Sequence, residues 1–281
     1  MNNLLGLPIG IMQGRLLPKY LGRYQAHPLN YWKDEFPIAS DIGLDCIEFI
    51  LDFNDYKKNP LIYIGGVKEI KETSKENSVN VKTICADYFM DSPLHIKDKE
   101  QQKTNIDCFL TILHSAKDIG IKDIVLPCVD NSSIQDPKEQ DLFLGILGDL
   151  IEEIKKNGVR ISLETDLGPK DFSNLLDKIN SDFISVNYDT GNSASLGYDP
   201  VEEFIAYGSR ISDIHIKDRV LGGGPIELGK GNVDFKKILT TINNNNYKGP
   251  LIFQAYRDEQ GVDIFKKQYH FFMNEMKHVL N

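Results

Sequence analysis

The chain has 281 residues, of which 41% are hydrophobic and 26% charged, with a formal net charge of −9 and a pI near 5.2. That balance belongs to a soluble globular protein with apolar residues enough for a sizeable core, and its acidity disfavours nucleic acid and anionic membranes as partners. No window approaches the roughly 18 consecutive apolar residues of a membrane span, and the start MNNLLGLPIGIMQGRL lacks a signal peptide's basic leader and long apolar core, so a cytoplasmic location is expected.

Short runs rich in Ile, Val and Phe alternate with longer stretches of helical period. PIGIM (8–12) comes first. CIEFI (46–50) is followed by GGVKEIKETSKENS, VKTICADYF (81–89) by TNIDCFLTILHSAKDIG, and IVLPCV (124–129) by EQDLFLGILGDLIEEIKKNG. RISLE (160–164) leads to PKDFSNLLDKIN, FISVNYD (183–189) to DPVEEFIAYG, and ISDIHI (211–216) to VDFKKILTTINNNN. LIFQA (251–255) precedes the closing amphipathic segment VDIFKKQYHFFMNEMKHVL. Pro200 after Asp199 marks a helix start, and the glycines of DIG and KNG mark helix ends. Alternation of this kind implies parallel strands joined by right-handed crossovers, and eight such runs favour an α/β fold of the closed (β/α)8 TIM barrel type over an open sheet. No linker, low-complexity tract or charge block interrupts the pattern, so residues 1–281 read as one barrel domain. Cys46, Cys85, Cys108 and Cys128 sit in apolar surroundings without a CxxC pair and are expected to be buried free thiols.

In such a barrel chemistry gathers at the carboxyl ends of the strands. The fifth run ends SLETD, placing Glu164 at the rim, and the sixth ends VNYDTGN, giving Asp189. The seventh ends DIHIKDR, giving His215 with Lys217, Asp218 and Arg219 beyond it, and the eighth ends on Gln254. Each residue alone has an ordinary structural account. A terminal carboxylate caps the next helix, a lone histidine is a satisfied core group, and an amide is a plain hydrogen bonder. The ordered set carries the signal. Two carboxylates, an imidazole and an amide oxygen suit one divalent metal ion of intermediate hardness, Mn2+, Mg2+, Co2+ or Zn2+. Cysteine is absent from the set, which argues against a structural zinc site.

The segments ISLETD, VNYDTGN, DIHIKDR, GKGNVDFKKIL and GPLIFQA are similar, in order and spacing, to those of the xylose isomerase-like TIM-barrel superfamily of sugar isomerases, epimerases and related dehydratases. The opening GIMQGRL and the segment CADYFM look like those of bacterial sugar phosphate isomerase/epimerase-like proteins. The resemblance spans nearly the whole chain and implies one divalent metal held by Glu164, Asp189, His215 and position 254, with a carbohydrate as substrate. Two departures stand out. Many relatives carry DxxH after the sixth strand, where the histidine contacts substrate; here the fourth residue is Asn192. Epimerases of the superfamily have a second catalytic glutamate where this chain has Gln254, which can offer an oxygen but cannot take a proton.

The chemistry that resemblance implies is removal of a proton next to a carbonyl by a carboxylate, with the metal stabilising the enediolate. With Gln254 in place, Glu164 is expected to act alone, which suits isomerisation between neighbouring carbons or dehydration. The neutral amide also favours a substrate that carries its own negative charge. Arg15, Lys217, Arg219 and Arg257 are the candidate anion-binding groups, and Glu48, Asp87 and Asn192 the candidate partners of sugar hydroxyls. The stretch LGGGPIELGKG lacks nucleotide-loop spacing and is expected to be a mobile loop over the site. His27, His95, His114, His270 and His278 read as structural or surface residues. Homo-oligomerisation is left open. An endonuclease IV-like phosphodiesterase would need several strand-end histidines, and only His215 is suitably placed. The rival of a different class is a non-catalytic sugar-binding barrel with Gln254 as the mark of the lost acid.

Overall fold

Every apolar run of the sequence becomes a strand. In the computed structural model, which describes residues 6–280, these are β1 (Ile9–Met12), β2 (Cys46–Ile50), β3 (Asn80–Cys85), β4 (Asp123–Cys128), β5 (Arg160–Thr165), β6 (Ile184–Asp189) and β7 (Ile211–Ile216). A small antiparallel pair, β8 (Asp218–Arg219) and β9 (Pro225–Ile226), precedes the last barrel strand, β10 (Leu251–Phe253). Parallel pairing in the order β1-β10-β7-β6-β5-β4-β3-β2 closes the barrel.

Helices pack around it: α1 (Glu35–Ile42), α2 (Gly66–Asn77), α3 (Tyr88–Asp91), α4 (Lys99–Ile119), α5 (Pro137–Asn157), α6 (Pro169–Ile179), α7 (Thr190–Leu196), α8 (Pro200–Tyr207), α9 (Phe235–Asn244) and α10 (Val262–Leu280). Aspartates set several starts by accepting backbone N–H groups, as Asp98 does from Glu100 and Gln101, which begins α4 earlier than its apolar period. Helix α1 has no clear period and contains Pro37, but the proline falls in the first turn, where its missing N–H costs nothing. The third apolar run is shorter than its sequence suggests. β3 stops at Cys85, and Tyr88 turns into α3 with its N–H on the Leu51 carbonyl.

The main core lies between the barrel wall and the helices. Phe253 of β10, for example, packs its ring 5.2 Å from Phe272 and 5.5 Å from Phe265, both on α10. Burying one such side chain contributes about 1.5–3 kcal/mol. Inside the barrel, apolar contact is limited to a small cluster of Met12, Cys46, Cys85 and Ile252. Gly10 permits that cluster, since a Cβ there would fall 2.5 Å from Cys46 Sγ and 2.9 Å from the Cys46 carbonyl oxygen. Most of the rest of the interior column is polar. Ser162, Ser185 and Ser212 share hydroxyl contacts of 2.6–3.0 Å near its amino end, and a column of acids and amides fills its carboxyl end.

Two details bear on the site. The β6–β7 register slips between Val186 and Asn187, and this irregularity sets Asp189 directly beside His215. The glycine-rich segment after β7 is pinned, contrary to the expectation of a mobile loop. Buried Asp218 accepts the N–H groups of Gly229, Gly231 and Val233 at 2.9, 2.9 and 3.1 Å.

Candidate metal centre

Side chains alternate between the two faces of a strand, so the positions that point inward at the end of each strand meet at one mouth. Glu164 stands near the end of β5, Asp189 ends β6, and His215 lies one residue before the end of β7. All three are buried, and one ligand atom from each lies within 4.8 Å of the others. Ligand atoms around a cation bound at about 2.0–2.2 Å stand roughly 3–4 Å apart, so small side-chain rotations close this set on a common ion.

The electrostatics fit a cation. His215 Nδ1 is 3.8 Å from Glu164 Oε2, and on the ring's other side Nε2 is 2.9 Å from Glu48 Oε1, a close charge contact that is not aligned as a hydrogen bond. Thr83 Oγ1 donates to the second Glu48 oxygen at 2.8 Å. A carboxylate behind an imidazole orients the ring and raises its basicity. Burial pulls His215 down, yet Glu48, Glu164 and Asp213 together outweigh it and lift the imidazole to about 10. Burial first and Asp189 second push Glu164 up to about 7. Asp213 joins the lower end of the cluster with both oxygens lacking a donor, and burial followed by Glu48 raises it well above the carboxylate range. Excess negative charge in a dry interior holds protons when no cation is there, and metal binding releases them. The oxygen and imidazole donors suit a divalent ion of intermediate hardness.

Around this triplet the remaining sequence candidates take distinct places. Asp189 Oδ1 caps α7 by accepting the Asn192 N–H at 2.8 Å, and Oδ2 receives Lys217 Nζ at 3.3 Å. Gln254 follows the last residue of β10 with its N–H still on the Ile216 carbonyl. Its Oε1 accepts from Lys217 Nζ at 2.8 Å, and its Nε2 faces Met12 Sδ at 3.4 Å and Gln25 Oε1 at 3.3 Å. Asn192 Nδ2 donates to Glu164 Oε1 at 2.5 Å, while its Oδ1 accepts from Arg219 Nη1 at 2.7 Å. Arg15 donates to Gln25 Oε1 at 2.8 Å with its guanidinium 4.8 Å from the centre of the Tyr24 ring. Asp87 accepts from Gln25 Nε2 at 2.7 Å, and burial raises it to about 6.

Two candidates lie away from the mouth. Glu48 is fully buried beneath His215. Arg257 turns back to the loop after β1, where it donates to the carbonyls of Gly14 and Leu17 at 2.6 and 2.5 Å. Three residues absent from the sequence reading belong to the centre. Asn187 Nδ2 spans Glu164 Oε2 at 3.2 Å and His215 Nδ1 at 3.1 Å. Gln25 ties Arg15, Asp87 and Gln254 together, and Asp213 closes the column below. Strand alternation already marked Asn187 and Asp213, each two residues before a rim residue. Gln25 lies in irregular chain and carries no sequence signal. A recess of about 440 Å3 opens at the barrel's other end around Arg160 and Arg210, the face where barrel residues serve stability.

Comparison with known proteins places these observations in a family. The profile of the xylose isomerase-like TIM barrel matches residues 36–274. The L-ribulose-5-phosphate 3-epimerase UlaE of Escherichia coli O157:H7 is 23% identical over 241 residues, covering 81% of this chain and 83% of that one. Among solved structures, the IolI protein with a bound zinc atom superposes with a TM-score of 0.77 at 14% identity, over 97% of this chain and 99% of that one. The 3-keto-D-glucoside 4-epimerase YcjR of Escherichia coli gives 0.73 at 15% identity, over 95% and 99%.

Proposed function

The chain belongs to the xylose isomerase-like TIM-barrel family, and from that premise we propose that it is a divalent-metal-dependent sugar isomerase or epimerase, a single-domain cytoplasmic enzyme working by proton transfer beside a carbonyl. The observation that carries this reading is the buried triplet of Glu164, Asp189 and His215, whose ligand atoms lie within 4.8 Å of one another at the carboxyl mouth of the barrel. The epimerase names of relatives support the reaction class, and the zinc in the IolI structure supports a metal.

A divalent ion held by Glu164, Asp189 and His215 supplies positive charge that stabilises negative charge developing on substrate oxygens. The chain's own groups do the rest. Glu164 is the base that takes the proton next to the carbonyl. Its two oxygens are held by Asn192 and Asn187, which fix the orientation of the carboxylate. Asn192, Arg219, Lys217, Arg15 and Asp87 ring the approach and bind the sugar. Because Gln254 takes no proton, Glu164 returning its proton to the adjacent carbon gives aldose–ketose interconversion. Loss of a hydroxyl after the same first step gives dehydration.

The test is solvent deuterium uptake by a panel of ketoses and ketose phosphates with Mn2+-supplied protein. Deuterium should enter beside the carbonyl of at least one substrate, and Glu164→Gln should slow uptake by about a hundredfold or more. Uptake that survives in Glu164→Gln would overturn Glu164 as the base, and no uptake across the panel would discard the reading in favour of a sugar-binding barrel.

A further inference from the structure

The fourth corner of the centre is made by two side chains acting together. Lys217 Nζ stands 2.8 Å from Gln254 Oε1 and 3.3 Å from Asp189 Oδ2, with only 14% of its side chain exposed. Its position is built in. The Lys217 N–H and carbonyl are both engaged by Thr190 Oγ1, at 3.0 and 2.6 Å. Its stem crosses Gly191, where a Cβ would fall 2.7 Å from Lys217 Cγ and 3.2 Å from Arg219 Cγ, so the glycine is what lets the ammonium reach the mouth. Gln254 is fixed at both ends, since its Nε2 faces Met12 Sδ and Gln25 Oε1. The oxygen it would offer to a cation is thus already satisfied by an ammonium. Glu164, Asp189 and His215 are hydrogen-bonded too, but their ligand atoms already lie within 4.8 Å of one another.

Charge points the same way. The carboxylates of Glu164 and Asp189 balance a divalent ion, and a glutamate at position 254 would in turn have balanced Lys217. With the neutral amide there, the ion pair of Lys217 among the described residues is with Asp189 alone. A largely desolvated ammonium needs a counter-charge, and a cation on Asp189 would take up much of the counter-charge that this ion pair supplies. We propose, on the footing of the metal-centre reading above, that the ion is held by three protein ligands only, and that the Lys217–Gln254 corner binds a negatively charged oxygen of the substrate, a carboxylate or a phosphate.

Calorimetric titration of the full chain decides it. Mn2+ affinity in Gln254→Ala should stay within about threefold of wild type, whereas Asp189→Ala should lose at least a hundredfold. On the Mn2+-loaded protein, glycolate and inorganic phosphate serve as charged probes and hydroxyacetone as a neutral one. Lys217→Met should weaken the better-bound anion at least tenfold and leave hydroxyacetone unchanged, and Lys217→Arg should restore binding to within threefold. The probe that loses more in Lys217→Met tells a carboxylate from a phosphate site. Gln254→Ala failing on Mn2+ as badly as Asp189→Ala would overturn the three-ligand centre, and anion binding indifferent to Lys217→Met would overturn the recognition role. Wild-type protein that takes up no Mn2+ would instead fail the metal-centre reading, and the same anion probes on metal-free protein would then decide the role of Lys217 alone.

Discussion

At the scale of single residues, the centre depends on side chains that touch its ligands. Asn187 spans Glu164 and His215 through one amide nitrogen, so replacing it removes the group that holds the carboxylate and the ring in place relative to each other. Partners behind metal ligands typically cost about 10- to 100-fold in metal affinity when removed. Asn187→Leu should therefore weaken Mn2+ binding by about that factor while the far-ultraviolet circular dichroism stays native; unchanged affinity would show that the amide positions nothing. Asn187 was legible in principle, because it lies two residues before Asp189 and strands alternate with that period. The opposite case is Arg257. Its place after an apolar strand suggested a substrate contact, yet the folded chain turns it onto the carbonyls of Gly14 and Leu17. Nothing local to residues 251–257 encodes that direction.

At the scale of elements, the segment joining β1 to α1 is held from two sides. Glu35 accepts the N–H groups of Gly14 and Leu16 at 2.6 and 2.9 Å, and Arg257 holds neighbouring carbonyls. Burial lifts Glu35 from an ordinary 4.5 to about 7, against the pull of the two N–H groups. The folded protein therefore keeps this proton up to about pH 7, whereas the unfolded chain releases it near 4.5. Between those values the folded state binds more protons, so this group's stabilising contribution is full below about pH 4.5 and declines as pH rises to about 7, by on the order of 3 kcal/mol. Urea unfolding at pH 5 and pH 7.5 should show a smaller decline in Glu35→Gln than in wild type. Equal declines would mean that Glu35 titrates normally. The proline within α1 hid this helix from periodicity, and with it the clamp at its first residue.

For the molecule as a whole, the four cysteines test the packing. All are free and buried, and burial pushes Cys46 and Cys108 up to about 12. A buried thiol that is not ionised does not react. Ellman's reagent at pH 8 should find almost no thiol in the native protein and four in guanidinium chloride, and reductant should leave the unfolding midpoint unmoved. Rapid native labelling would mean a looser interior than the one described. The sequence by itself determined the eight alternating units, and hence the barrel and the order of Glu164, Asp189 and His215 around its mouth, because parallel strands joined by helices bring all their carboxyl ends to one face. Only the tertiary structure decided what those residues meet. The slip between Val186 and Asn187 sets Asp189 beside His215. Glu48, on the far side of the barrel order, reaches the imidazole across the interior. Lys217 rather than a carboxylate pairs with Gln254. Each of these is a contact between segments tens to hundreds of residues apart, set by closure of the barrel and the packing inside it, and no local pattern of residues specifies such a contact.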